Sequence, residues 1–294
     1  MTEADNFQCL MVGLPRTGKT TFLAALWHVV RSDEVSDSLR LDRLEGDQEY
    51  LNLIAAQWLK CKALERTSGD QIKVDIRLRD PATGYLAWLR IPDMSGELYE
   101  SLWETRTCLT SFADLVNEVD GCLLFVHPGK VVETTWIDDA NATFSEWEKD
   151  IPVEADADTE AEIETETAGT EWEPRFAPTQ VQMVEILQFL TELSKKNFRV
   201  VLVISAWDLV KEEVSPDQWL EKRLPLLWQF LTANSDLFNV TYMGVSAQGG
   251  EVTGENSVAE ALLDHNVASR RIRICVSDKE GNDISQPIRW LMSN

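Results

Sequence analysis

The sequence predicts an α/β fold: a doubly wound, mostly parallel sheet with one antiparallel edge strand and with helical and acidic insertions. Three observations predict it. Near-continuous apolar runs recur in "FQCLMV" (7–12), "GCLLFV" (121–126) and "RVVLVISA" (199–206), as strands covered on both faces require. Segments of helical periodicity separate these runs. A glycine-bearing stretch, GLPRTGKT from Gly13 to Thr20, joins the first run to the first helical pattern.

Each element follows in order. "KTTFLAALWHVVR" places Phe22, Leu23, Leu26 and Val30 on one connected helical face. "GDQEYLNLIAAQWLKCKAL" reads as an amphipathic helix. "QIKVDIRLR" alternates apolar and polar residues, turns through Asp80-Pro81-Ala82-Thr83-Gly84 and returns as "YLAWLRI". That hairpin supplies the antiparallel strand. "PTQVQMVEILQFLTELSKK" is a helix between the second and third buried runs. "SPDQWLEKRLPLLWQFL" is another, which Pro225 must kink or split. "NVTYMGVSA" (239–247) reads as the last strand, and "PIRWLM" starts a closing helix at Pro287. The 294 residues fit a single elaborated domain over 1–294, with a helical insertion at 46–64, an acidic disordered one at 150–178 and another at 249–270.

With 27 basic against 50 acidic residues, the net charge of −23 argues against nucleic acid or an anionic membrane as the main partner. No apolar stretch approaches the roughly 20 residues needed to cross a bilayer. The start, MTEADNFQ, lacks the basic and apolar parts of a secretory signal. Five scattered cysteines (Cys9, Cys61, Cys108, Cys122, Cys275) form no C-x-x-C pair, so they are expected to be buried structural thiols in a reducing cytoplasm. Asp150 to Glu173 carries ten acids and no base, a composition that cannot bury enough apolar area to offset chain entropy. Most tryptophans, Trp27, Trp58, Trp88, Trp103, Trp207, Trp219 and Trp228 among them, are expected to pack helices onto the sheet. His28, His127 and His265 lie far apart and receive no catalytic role.

The chemistry concentrates in the glycine stretch, which matches G-x-x-x-x-G-K-[ST] between a strand and a helix. Gly13 and Gly18 let the backbone curl its N–H groups around a phosphate, with Arg16, Thr17 and Thr21 lining the same loop and first helical turn. Lys19 reaches the terminal phosphates, and the Thr20 hydroxyl is placed to ligate Mg²⁺. Three further stretches choose the base. "PDMSGE" ends a strand with a D-x-x-G, in which Asp93 would hold a water on Mg²⁺ and the Gly96 N–H would meet the γ-phosphate. "VISAWD" ends another with Asp208, whose carboxylate can accept from guanine N1–H and its 2-amino group. "GVSAQ" ends a third with Ser246 and Ala247, placed to meet the base through backbone N–H groups. All three stand at strand C-terminal ends, where open α/β sheets bind ligands, and together they favour GTP over ATP.

These motifs resemble the translation-factor-related (TRAFAC) P-loop GTPases, the Ras-like ones included: GLPRTGKT their first motif, DMSG their third, SAWD their fourth and VSA their fifth. The resemblance covers Phe7 to Ala247 and the closing helix. GKTTFLAALW followed by RT, a hairpin and D-x-x-G-E is further similar to the double-GTPase component of bacterial GTPase-associated conflict systems, which implies a role in antiviral defence. What the resemblance implies is a cytoplasmic, Mg²⁺-dependent GTP switch, slow on its own, with effectors, a GTPase-activating partner and homo- or hetero-oligomers as expected partners. Thr67, in "LERTSGDQ", is the candidate for the switch threonine on Mg²⁺. Glu97 stands where Ras-like members carry the water-orienting glutamine, and Arg16, Arg66 and Arg106 are candidate cis arginine fingers. Ala206 replaces the usual fourth-motif lysine, so the stem that packs on the base is missing, and whether Trp207 takes its place is left open by the sequence. Glu97 and Ala206 keep a second reading open, a pseudo-GTPase scaffold, and an ATP-dependent P-loop enzyme is a third.

Overall fold

The computed structural model describes residues 6–64, 73–92, 96–134, 176–194, 196–255 and 257–293. Thr67, Arg66, Asp93 and the acidic stretch 150–175 lie outside them. The strands are β1 (Asn6–Val12), β2 (Arg40–Gly46), β3 (Val74–Arg79), β4 (Leu86–Ile91), β5 (Gly121–Val126), β6 (Phe198–Ser205), β7 (Phe238–Ser246), β8 (Arg273–Val276) and β9 (Lys279–Gly281). The helices are α1 (Lys19–Val29), α2 (Gln48–Leu59), α3 (Glu97–Thr105), α4 (Thr110–Glu118), α5 (Thr179–Ser194), α6 (Pro216–Arg223), α7 (Pro225–Ala233), α8 (Ala259–Leu263) and α9 (Gln286–Met292).

The strands form one mixed sheet in the order β2-β3-β4-β1-β5-β6-β7-β8-β9. Its centre, β4-β1-β5-β6-β7, is parallel throughout. Period-two alternation divides the side chains between two cores. Cys9 and Met11 of β1, with Val201 and Val203 of β6, join the layer of α1, α2 and α9, around Phe22, Trp27 and Ile288. Leu10 and Val12, with Val200, Leu202 and Ile204, join the layer of α3 to α7, around Phe112, Leu187 and Leu227. Every residue of β5 is buried, as a strand covered on both faces demands.

Local chemistry sets the ends. Asp47 caps α2 by accepting from the Tyr50 N–H at 2.8 Å. The β3–β4 turn closes through Asp80 N–H to the Tyr85 carbonyl (2.9 Å), with Gly84 in the left-handed region at φ +76°. Pro225 splits its helical segment into α6 and α7, since it cannot donate to the preceding turn.

The edges differ from expectation. The hairpin was expected to add one antiparallel strand. Antiparallel pairing in fact extends both edges, β2–β3–β4 on one side and β7–β8–β9 on the other. β7 is therefore not the last strand. β2 and β9 escape sequence reading because an edge strand exposed to water needs no apolar alternation: "RLDRLEG" has no fully buried residue, and all of "KEG" is exposed. The segment 249–270 contains α8 and the start of a short 3₁₀ turn (Ala268–Arg271) that leads into β8. The thiols also divide: Cys9, Cys61 and Cys122 are buried and Cys275 partly so, but Cys108 is exposed in the loop between α3 and α4, where no packed layer covers it. Burial pushes the Cys9 and Cys122 thiols far above their ordinary range, which keeps them protonated.

Gly121 marks a place in the sheet where two backbones approach closely. A Cβ there would collide with the backbone carbonyl oxygen of Arg199 on β6. Gly121→Ala is expected to destabilise the protein by about 1–3 kcal/mol, the usual cost of overpacking, measured as a lower denaturation midpoint with an unchanged slope.

Candidate functional site

The loop 13–18 leaves β1 and enters α1 through Gly18, whose φ of +86° only glycine adopts freely. Among the described residues no side chain caps this helix start, and its first turn holds no acid, so the positive end of the helix faces the loop. Arg16 is also left-handed (φ +63°) and exposed, which turns the loop backbone. The Thr17 hydroxyl donates to the Leu14 carbonyl at 2.8 Å and closes the loop from within. Thr20 and Thr21 are half-buried in the first turn of α1.

Lys19 is 3% exposed, and its ammonium donates to the carbonyls of Gly13 (2.8 Å) and Leu14 (2.9 Å). Gly96 approaches from the other side. A Cβ on Gly96 would fall 2.6 Å from Lys19 Nζ and 2.7 Å from the Gly13 oxygen, so only hydrogen fits. Gly96, at φ +89°, also caps α3, which Glu97 opens as an exposed residue. The buried Tyr99 hydroxyl donates to the Met11 carbonyl at 2.8 Å and ties α3 to β1. The first-motif loop and the D-x-x-G glycine therefore share one cradle, because β4 and β1 are parallel neighbours.

The residues expected from the sequence to meet the base gather at the same sheet edge. Asp208, half-buried in a 3₁₀ turn (Trp207–Leu209) after β6, accepts from the Ser246 hydroxyl at the end of β7. Ser246 Oγ in turn accepts from the Gly249 N–H at 3.2 Å. Ser205, three positions before Asp208, meets the glycine loop: a Cβ on Gly18 would lie 2.9 Å from Ser205 Oγ. Ser246 and Ala247 are both buried. The sheet thus brings together Gly13, Lys19, Gly96, Asp208, Ser246 and Ala247, which the chain scatters over more than 230 positions.

Several expectations change. Trp207 is turned inward onto β7, where a Cβ on Gly244 would fall 2.6 Å from Trp207 Cγ, so its ring packs on the sheet. Ala206 itself is left-handed at φ +45°. Arg106 closes α3 and pairs with Glu185 at 3.0 Å. His28 does have a carboxylate partner, Glu34 at 2.9 Å, contributed by the loop after α1 rather than at helical spacing. His127, which follows β5, stands near Asp208 and accepts from the Gly129 N–H at 3.1 Å. Burial first, then the Lys130 charge, holds its imidazole below the ordinary value, while Asp208 pulls the other way.

The Double-GTPase 1 family model matches residues 10–291, nearly the whole chain. The chain belongs to the Double-GTPase 1 family. Guanine nucleotide is therefore the ligand class of the cradle. None of the curated proteins compared with this GTPase matches it. Among solved structures, it is similar to the signal recognition particle receptor SRb-GTP/SRX complex from Chaetomium thermophilum, at 10% identity over 87% of this chain and 95% of that one, with a TM-score of 0.42. It is also similar to the S. cerevisiae Ski7 GTPase-like domain bound to GDP and inorganic phosphate (14% identity, 90% and 48% coverage, TM-score 0.40). A third is bacterial selenocysteine-specific elongation factor EF-Sec (12% identity, 84% and 26% coverage, TM-score 0.36). This GTPase thus spans about a quarter of the EF-Sec chain and under half of the Ski7 chain.

A Mg²⁺ ion is typical of such folds. Among the described residues no group of three His, Cys, Asp or Glu could hold a metal alone. Thr20, half-buried in the first turn of α1 beside the glycine loop, is a described residue that could offer such an ion a hydroxyl, water and phosphate oxygens completing the shell.

Two predictions follow from this geometry. Gly96→Ala is expected to lose about tenfold or more in nucleotide affinity with the fold intact by circular dichroism, because the added methyl occupies the space of the Lys19 ammonium. As pH falls through about 6.5, the unfolded chain takes up a proton that folded His127 resists, so stability declines. His127→Gln, which still accepts from Gly129, is expected to lose less stability between about pH 7 and about pH 5.5, read from urea denaturation at each pH.

Proposed function

We propose that the protein is a cytoplasmic, Mg²⁺-dependent GTP switch that hydrolyses GTP slowly, is accelerated by a partner and signals to effector proteins. The observation that carries the reading is the approach of Gly96 to Lys19. A D-x-x-G glycine packed on the lysine of a phosphate loop puts the segment behind it under the control of the terminal phosphate. In this reading the Lys19 ammonium exchanges the Gly13 and Leu14 carbonyls for β- and γ-phosphate oxygens, and the loop N–H groups take the remaining charge. Thr20 and Asp93, with Thr67, would hold Mg²⁺, which supplies charge neutralisation across the β- and γ-phosphates.

At the other end, Ser246 donates to Asp208 and holds its carboxylate toward guanine N1–H and the 2-amino group, while the 246–247 backbone meets the base. Adenine offers neither donor in that arrangement. Glu97 can take a proton from the attacking water, but its charge repels the γ-phosphate, which accounts for slow intrinsic turnover. Arg16, exposed on the loop, is the candidate cis arginine nearest in sequence to Lys19.

A second reading, a nucleotide-binding scaffold without turnover, draws on Ala206 and on Trp207 facing the sheet, which leave the base without a lysine stem. Phosphate release with purified protein separates the two. Multiple turnovers that Lys19→Ala abolishes support the switch, and one turnover or fewer supports the scaffold. Asp208→Ala is expected to erase the preference for GDP over ADP, a loss of about 1–3 kcal/mol for two unpaired donors, measured by competition binding. Equal binding of both nucleotides by the unaltered protein would instead favour the ATP-dependent reading.

A further inference from the structure

A buried cluster grips the base-facing loop from behind. Trp58, near the C-terminal end of α2, is fully buried and donates its indole N–H to the Ala247 carbonyl at 2.9 Å. The Arg271 guanidinium lies over that indole, 4.3 Å from the ring centroid. It donates to the carbonyls of Trp58 (3.1 Å) and Leu59 (3.3 Å) and to Cys61 Sγ (2.7 Å). The Gln248 amide adds a bond to the Trp58 carbonyl at 3.3 Å. The end of a helix leaves its last carbonyls without partners inside the helix. Here the side chains of Gln248 and Arg271 join the Cys61 N–H in taking them. Gly249 completes the grip: at φ +94°, a Cβ would fall 2.6 Å from the Arg271 carbonyl oxygen.

We infer that Trp58 and Arg271 are positioning residues for guanine recognition, through which the α2 insertion holds the 246–249 loop in register with Asp208. Pinning the Ala247 carbonyl fixes the following peptide plane and so the course of the chain between Ser246 and Gly249. The Ser246 hydroxyl, bonded to both Asp208 and the Gly249 N–H, passes that constraint to the carboxylate. The inference rests on the guanine reading of Asp208 and extends it to residues that never touch the nucleotide. A cluster that only packed the core would affect every nucleotide alike.

Trp58→Phe keeps a ring under Arg271 and deletes the indole donor to the Ala247 carbonyl. Binding of GDP, GTP and ADP to the purified full chain, with release of a fluorescent GDP analogue followed by stopped flow, reads the effect. GDP and GTP are expected to bind about fivefold to tenfold more weakly through faster release, with ADP affinity unchanged. Wild-type GDP affinity in the variant, or an equal loss for ADP, overturns the inference. Should the unaltered protein fail to prefer GDP over ADP, the guanine reading falls and takes this inference with it, a result the wild-type measurement alone reveals. If Trp58→Phe does not fold by circular dichroism, Arg271→Lys is read in the same way, since it keeps the charge and loses the fork that spans Trp58, Leu59 and Cys61.

Discussion

A buried ammonium held between a curled loop and a bare glycine is the constraint on which the rest of the architecture depends. Lys19 is almost wholly covered, and burying a cation is costly unless polar groups surround it. The Gly13 and Leu14 carbonyls supply that surround. Gly96 supplies room, since any side chain there would displace the lysine head. Satisfying both needs requires β1 and β4 to be parallel neighbours with α3 packed close beneath the loop, which the Tyr99 bond to Met11 secures. The centre of the sheet is therefore tied to the geometry of one amine.

The other half of the site depends on sheet order as well. β6 and β7 pair in parallel register, so their C-terminal ends lie side by side and Ser246 reaches Asp208. β5 lies between β1 and β6, and Ser205 at the end of β6 meets Gly18 at the start of α1. Anion cradle and carboxylate thus stand on one edge, the crevice that open parallel sheets reserve for ligands. The antiparallel strands beyond β4 and β7 cover the flanks of that sheet.

Much of this was legible because strong local signals carry it. The glycine loop is contiguous, the buried strands are continuous apolar runs, and Pro225 announces a break that chain stereochemistry enforces. Less was legible where water removes the pattern. β2 and β9 are polar edge strands and β8 is a four-residue strand between β7 and β9, and the pairing of all three is fixed by neighbours rather than by their own alternation. The role of Trp207 was open to sequence reading, but its orientation follows from Gly244, a residue on another strand. The exposure of Cys108 and the pairing of His28 with Glu34 likewise follow from loop paths that periodicity does not encode.

By itself the sequence determined the chemistry on offer: a phosphate loop with its lysine, a D-x-x-G glycine, an aspartate just past one strand and a serine ending another. Those are local properties, set by residue type and by the order of elements. Only the tertiary structure decided that they meet, and which unheralded residues hold them there. Trp58 reaches Ala247 across 189 positions and Arg271 reaches Trp58 across 213, distances over which no periodicity or motif operates. Such contacts arise when packed layers bring a helix end and a loop together, and the side chains that satisfy both are chosen by geometry that exists only after folding.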